Sequence, residues 1–321
     1  MRLGGILAAA LLVAVTALGP RAQAAQKVIG GTLGGQAPLW PFYIAVDKGF
    51  LAAEGIDLEI NFAQNGSAIL QQLTGGSLDV VISVGLTEAM QAIDKGAPLA
   101  VIRIIGRTAP YVLIAKPAIG AISDLKGKTI SIGGPTDITN IYFTRMMLAN
   151  GFKDGDYETI SAGVAAARLA ALEAGVADAA LVLPPLNFHA AKSGFRTIGL
   201  SFDYVKDIPF TAAVVGRAWA GAHPALVRGI LAATDKSVAW FDDPANRAAA
   251  IDVLVKVGKA TPEDAEASYD FLRRIDYFEP GDQVSRAGLK DLLAAETERH
   301  LVDPGLTVDR LVLAGVTEVT E

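Results

Sequence analysis

Leu70-Gln71-Gln72-Leu73-Thr74-Gly75-Gly76-Ser77-Leu78-Asp79, followed by the apolar run 80–84, returns 99 residues later without a gap. The second copy reads Leu169-Ala170-Ala171-Leu172-Glu173-Ala174-Gly175-Val176-Ala177-Asp178 followed by 179–183. In both copies leucines at helical spacing end at glycine, and a buried strand begins after aspartate. The segments upstream also correspond. Residues 51–55 and then Asp57-Leu58-Glu59 match 148–151 and then Asp156-Tyr157-Glu158, once three extra residues are allowed. Leucine spacing and a terminal glycine are generic to any βαβ unit, so the shared order across both segments carries the argument. It predicts an α/β fold of two similar α/β lobes, each built on a helix-strand-helix-strand unit.

Two breaks show where the chain passes between lobes. Gly106-Arg107-Thr108-Ala109-Pro110 follows a strand predicted at 99–105, and residues 203–209 precede a strand predicted at 210–216. Lobe I is therefore expected to comprise residues 26–107 and 211–321, and lobe II residues 108–210. The two crossings form the expected hinge. Beyond the second break the pattern is helical. His223-Pro224 opens one amphipathic stretch, and Thr261-Pro262-Glu263-Asp264 supplies an N-cap, a first-turn proline and acids for another. These helices are expected to pack around lobe I alone.

Residues 1–24 read as a secretory signal peptide: Arg2, an apolar run over 6–18, then Ala22-Gln23-Ala24. The run is shorter than the roughly 20 residues a membrane span needs. The chain has no cysteine, which rules out lipid attachment at a mature N-terminal cysteine, disulfides and thiolate metal sites. The expected product is a soluble periplasmic protein and a monomer. Loss of Arg2 and Arg21 with the leader takes the formal charge from −6 to −8. Scattered basic residues on an acidic chain exclude nucleic acid as a partner.

The chain resembles the type II periplasmic binding proteins of ABC importers, in the group serving nitrate, sulfonate, taurine and thiamine-precursor uptake (NMT1/SsuA-like). The resemblance rests on Gly49-Phe50-Leu51-Ala52-Ala53-Glu54-Gly55-Ile56-Asp57-Leu58, Gly75-Gly76-Ser77-Leu78-Asp79-Val80, Asp124-Leu125-Lys126-Gly127-Lys128-Thr129-Ile130 and His223-Pro224-Ala225-Leu226-Val227. It spans the chain beyond the leader and implies a ligand cleft between two lobes. It also implies a membrane permease with a cytoplasmic ATPase as partner. These motifs are scaffold pieces and do not name the ligand.

In open α/β sheets, ligands sit outside the carboxyl ends of the strands, where helix N-termini point. That rule selects loops 36–43, 63–67 and 83–88 in lobe I, and 133–140, 161–165 and 184–188 in lobe II. Asn65, Gly66 and Ser67 open a helix whose N–H groups suit an anionic oxygen, although Ser67 also fits plain N-capping. Thr136 and Thr139 are donors, and Asp137 suits either a ligand amine or the first helical turn. Ser83, Gly85 and Thr87 form a cleft wall. Arg107 in the first crossing suits a bidentate anion or a solvated loop position. Trp40, Phe42, Phe188 and Phe210 are candidate rings for a planar ligand, with Trp40 expected to face the cleft, and Pro185 lies beside Phe188. Three dispersed histidines make no metal site, and neither a cofactor nor a catalytic residue is expected.

The expected function is capture of a small organic anion, a sulfonate or carboxylate, for delivery to a permease. The alternatives are a thiamine-precursor-type pyrimidine or other heterocycle, or an enzyme on the same fold.

Overall fold

The computed structural model describes residues 25–34, 37–206, 208–278, 281 and 283–320. The proposed leader, 1–24, lies outside the described residues.

Two five-stranded sheets organise the chain. In chain order the first four strands are β1 (Gln26–Leu33), β2 (Ile56–Ala63), β3 (Val80–Gly85) and β4 (Leu99–Gly106). The next five are β5 (Val112–Ala115), β6 (Thr129–Ile132), β7 (Glu158–Ser161), β8 (Ala179–Val182) and β9 (Arg196–Leu200), and β10 (Thr211–Gly216) then returns to the first sheet. The sheet orders are β2-β1-β3-β10-β4 and β7-β6-β8-β5-β9. In each, three parallel strands adjoin one that runs antiparallel and was exchanged from the other side of a crossing. The duplication read from the sequence is thus a duplication of sheet topology.

The repeated segment forms corresponding structures in both lobes. Helices Gly66–Thr74 and Ala165–Glu173 precede Gly76 and Gly175, whose φ angles of 76° and 77° require glycine's freedom. Asp79 then accepts from the Ile29 N–H at 2.8 Å, and Asp178 accepts from the Thr129 N–H at 3.1 Å. Each aspartate thereby ties the repeated strand to its parallel neighbour. Strands β3 and β8 are buried along their whole length, as expected of parallel strands covered on both faces.

The crossings run side by side. Thr108 Oγ1 donates to the Val205 carbonyl at 2.8 Å, and the Phe210 N–H donates to Gly106 at 3.0 Å. Helix Pro224–Asp242 packs on the outer face of the first sheet through Leu226, Val227, Ile230 and Leu231. The C-terminal helices do not pack on lobe I alone. Helix Pro262–Arg274 carries Phe271 against Phe188 and Phe202, at 6.1 and 5.7 Å, and Asp264 pairs with Lys192 at 2.9 Å. Phe271 is 6 % exposed, and the second sheet's flanking segments supply that cover. Among the described residues no helix is long and apolar enough to cross a membrane.

Candidate functional site

The carboxyl ends of the parallel strands in both sheets face one cleft of about 210 Å³. Lobe I contributes Leu33 after β1, Gln64 to Ser67 after β2, and Ser83, Val84, Gly85 and Glu88 after β3. Lobe II contributes Gly133, Gly134, Thr136, Asp137 and Ile138 after β6, then Gly163, Val164, Ala165 and Arg168 after β7, and Leu183 after β8. Tyr111, Phe210 and Thr211 come from the crossings, and Pro38 and Leu39 close one wall.

Of the residues singled out from sequence, Asn65, Gly66, Ser67, Ser83, Gly85, Thr136, Asp137 and Phe210 line this cleft. Asn65, not Ser67, caps the helix, its Oδ1 accepting from the Ala68 N–H at 2.9 Å. Asp137 is also a cap, accepting from the Thr139 N–H at 2.7 Å, and it still lines the cleft. The other seven stand elsewhere. Trp40 is fully buried and donates from Nε1 to the Ala250 carbonyl at 2.7 Å. Its ring packs against Phe241 and Tyr269, because flanking prolines start a core helix here rather than an exposed loop. Phe42 turns to the opposite face of that helix and joins the second core cluster.

Thr87 is buried with its hydroxyl on Glu88, and Thr139 is buried with its Oγ1 accepting from the Gly133 N–H at 2.9 Å. Both shape the cleft loops from behind. Arg107 pairs with Asp276 at 2.6 Å outside the cleft, next to the crossing. Loop 184–188 is the one predicted loop that does not reach the cleft. Pro185 lines a side crevice and Phe188 packs on Phe271, while the Pro184 carbonyl accepts from the Ala37 N–H of the other lobe at 3.2 Å.

The cleft residues not singled out from sequence include Glu88, Arg168, Tyr111 and Thr211. Glu88 is 9 % exposed, and the Thr87 hydroxyl donates to its Oε2 at 2.8 Å. Burial, with Asp137 nearby, pushes the Glu88 carboxyl up to about 8. Arg168 is 3 % exposed; its Nε donates to the Leu181 carbonyl and its Nη1 to the Gly163 carbonyl, both at 2.6 Å. Its guanidinium lies 5.5 Å from the ring of Tyr111, whose hydroxyl is held well above its ordinary range by burial. Thr211 carries a buried hydroxyl beside the equally buried hydroxyl of Tyr277. A legible signal existed for Arg168: it interrupts an alanine and leucine helix at the position where the first repeat has Ile69.

Bridges span the cleft in the described state. Gln91 Nε2 donates to the Thr136 carbonyl at 3.0 Å and to Glu296 at 2.7 Å, and Arg299 donates to both Glu296 and the Pro135 carbonyl. The cleft loop 133–137 is thereby tied to helices of the other lobe.

Two lobes of one strand order, closing strand-end loops around a shared cavity, define the two-lobed fold of type II periplasmic binding proteins. The solved structures agree. The ligand-binding component of an ABC-type import system from Staphylococcus aureus, with zinc bound, superposes with a TM-score of 0.77 at 16 % identity over 91 % of this chain and 97 % of that one. The alkanesulfonate-binding protein SsuA from Xanthomonas axonopodis pv. citri, bound to MOPS, gives 0.73 at 18 % identity over 93 % and 100 %. The model of the family described as NMT1/THI5 like matches residues 36–246, and the chain belongs to that family. A riboflavin-binding protein, RibY, from Chloroflexus aurantiacus is 24 % identical over 119 residues, 36 % of this chain. The match spans about a third of that relative's length, 34 %.

Proposed function

We propose that this protein is the solute-binding component of an ABC importer, which closes its two lobes on a small organic molecule and presents it to a membrane permease with a cytoplasmic ATPase. The observation that carries this reading is the single cleft built from strand-end loops of both lobes and bridged across by Gln91 and Arg299. A site divided between lobes couples ligand contact to closure, which is what a permease can read. An exported, soluble periplasmic monomer with residues 26–107 and 211–321 as one lobe, 108–210 as the other and the crossings as hinge fits this role. The ligand-binding component of an ABC-type import system among the structural relatives supports it.

Of the ligand classes expected from sequence, a planar heterocycle is better supported than an organic anion. Arg168, the cationic residue of the cleft lining, spends two of its donors on backbone carbonyls. Tyr111 and Phe210 lie edge to face at 5.1 Å beside the cavity and offer an aromatic wall, and the RibY relative is a riboflavin binder by name.

Native mass spectrometry of protein isolated from its host should show one retained small organic solute. A broad metabolite screen should find ligands that raise Tm and reduce the radius of gyration in solution scattering. If no solute does either, the receptor reading fails. If the bound solute is recovered chemically altered, an enzyme on this fold replaces it.

A further inference from the structure

We propose that Glu88 is the specificity-determining residue of the cleft, selecting a planar solute that offers an N–H or cationic edge and rejecting one that offers a carboxylate or sulfonate. The inference rests on the reading of this cleft as the solute site.

Glu88 stands in the first turn of helix Leu86–Asp94, directly after β3. Its carboxyl lies so close to the backbone that a Cβ at Gly85 would fall 2.1 Å from Oε2, and one at Gly66 would fall 2.8 Å from Oε1. A side chain at either glycine would have to displace the acid, whose carboxyl fills the space beside the turn at the end of β3. Lobe II repeats the device: a Cβ at Gly133 would meet the Asp137 carboxyl at 2.5 Å. Each lobe thus brings one glycine-cradled carboxyl to the same cavity wall set.

The second observation is Thr211, a cleft-lining residue 93 % buried by its 7 % exposure, whose hydroxyl has beside it only the equally buried hydroxyl of Tyr277. Two buried hydroxyls that share one hydrogen bond still leave a donor and acceptor capacity that a polar ligand atom can use. An acid and a hydroxyl lining one small apolar cavity match a solute edge that donates and accepts side by side.

The charged and titratable groups around Glu88 come from every neighbouring element. Asp137 caps helix Ile138–Ala149, Glu296 with its partner Arg299 belongs to helix Arg286–Glu298 and the residue after it, and Arg168 and Tyr111 form the lobe II side. Two of these acids, Asp137 and Glu296, oppose ionisation of Glu88, consistent with its raised pKa. Arg299 is engaged by Glu296 and Arg168 by two backbone carbonyls, so an incoming anion meets acids without a free counter-charge at Glu88, whereas an N–H donor or cation relieves the existing repulsion.

The test uses two probes with one ring and opposite polar groups, 4-aminopyrimidine and pyrimidine-4-carboxylate, on the mature protein and on Glu88→Gln. Wild type is expected to bind the amine at least tenfold tighter than the carboxylate, by ligand-detected NMR titration. Glu88→Gln should shrink or invert that ratio. A merely structural role would weaken both probes together and leave the ratio unchanged, which would overturn the proposal. Equal or tighter binding of the carboxylate to wild type would also overturn it, as would the absence of amine binding. Should Glu88→Gln fail to fold, Asp137→Asn and the wild-type ratio at pH 6 and pH 9 give the same decision, the preference for the amine growing as Glu88 ionises. A solute found in the metabolite screen that binds wild type and Glu88→Gln alike would sink this proposal while leaving the receptor reading standing.

Discussion

The two repeats share a scaffold and differ where chemistry is placed. At the aspartates that pin the repeated strands, Asp79 and Asp178, the roles are the same: each accepts from a backbone N–H of the neighbouring parallel strand, Ile29 within β1 and Thr129 at the start of β6. The positions beside them differ. Ile69 of the first repeat is a core residue, and its counterpart Arg168 is a buried guanidinium that lines the cleft. Glu88, after β3, lines the cleft, and its counterpart Asn187, after β8, does not. The first repeat thus leads into Glu88 and the second carries the Arg168 cation, beside the Asp137 carboxyl that lobe II also brings, and neither could build the cavity alone. Duplication supplied two rigid frames, and substitution at the strand ends made them complementary.

The strongest way to break this comparison is to remove the acid. Because Glu88 has its pKa raised to about 8 in the folded state, its contribution to stability is fully present below the unfolded carboxyl range. It is lost as pH rises through about 8. Glu88→Gln should therefore flatten the decline of stability between about pH 4.5 and 8, by an amount on the order of a few kcal/mol. Urea unfolding across that range checks it; identical slopes for the two proteins would mean that Glu88 is not buried as an acid. Next in size is Arg168→Ile, which gives the second repeat the residue of the first. It leaves the Leu181 and Gly163 carbonyls without the guanidinium and should cost about 1–3 kcal/mol. If it instead stabilised the protein, Arg168 would be retained for the ligand alone.

How much of this was legible follows from which forces each residue obeys. The repeat, the breaks at 106–110 and 203–209 and the strand-end loops could be read because hydrophobic period and glycine placement are local. Helix Pro262–Arg274 shows the limit. Its cap was legible, with Thr261 accepting from the Asp264 N–H at 3.2 Å, but its contact with the second lobe was not, since Phe271 meets Phe188 from 83 residues away. Aromatic residues misled for the same reason. Trp40 and Phe42 looked like ligand rings near a strand end, yet a ring is placed by long-range packing, and here the core took both. Glu88 was passed over because an acid in a first helical turn is ordinary on the surface; only its burial makes it unusual.

The pinning aspartates sharpen the comparison at a smaller scale. Asp79→Ala and Asp178→Ala should each cost about 1–2 kcal/mol, by loss of the bond to the Ile29 or Thr129 N–H. Asp178 differs in that Lys116, 2.8 Å away, holds its carboxyl below the usual range, with the Thr129 N–H adding to the effect. A depressed folded pKa contributes stability above the unfolded value, which is lost as pH falls through the folded one. The Asp178→Ala penalty should therefore shrink on acidification below about pH 4. Measuring both variants by urea unfolding at pH 7 and pH 3 checks this, and an Asp178 penalty that does not change with pH would show that the ion pair contributes nothing.

The smallest effect concerns the bridge between repeats rather than either repeat. Lys192 of the second lobe reaches Asp264 at 2.9 Å and also donates to Thr261 at 3.3 Å. Its side chain is half exposed, so water screens the pair and Lys192→Ala should cost only about 0.2–1 kcal/mol. Its geometric effect should exceed its energetic one, because a small bias acts directly on an equilibrium between open and closed lobes. Solution scattering of the ligand-free variant should show a larger radius of gyration than wild type, while the unfolding midpoint moves little. If the midpoint fell and the radius did not change, Lys192 would belong to the stability of one lobe and not to closure.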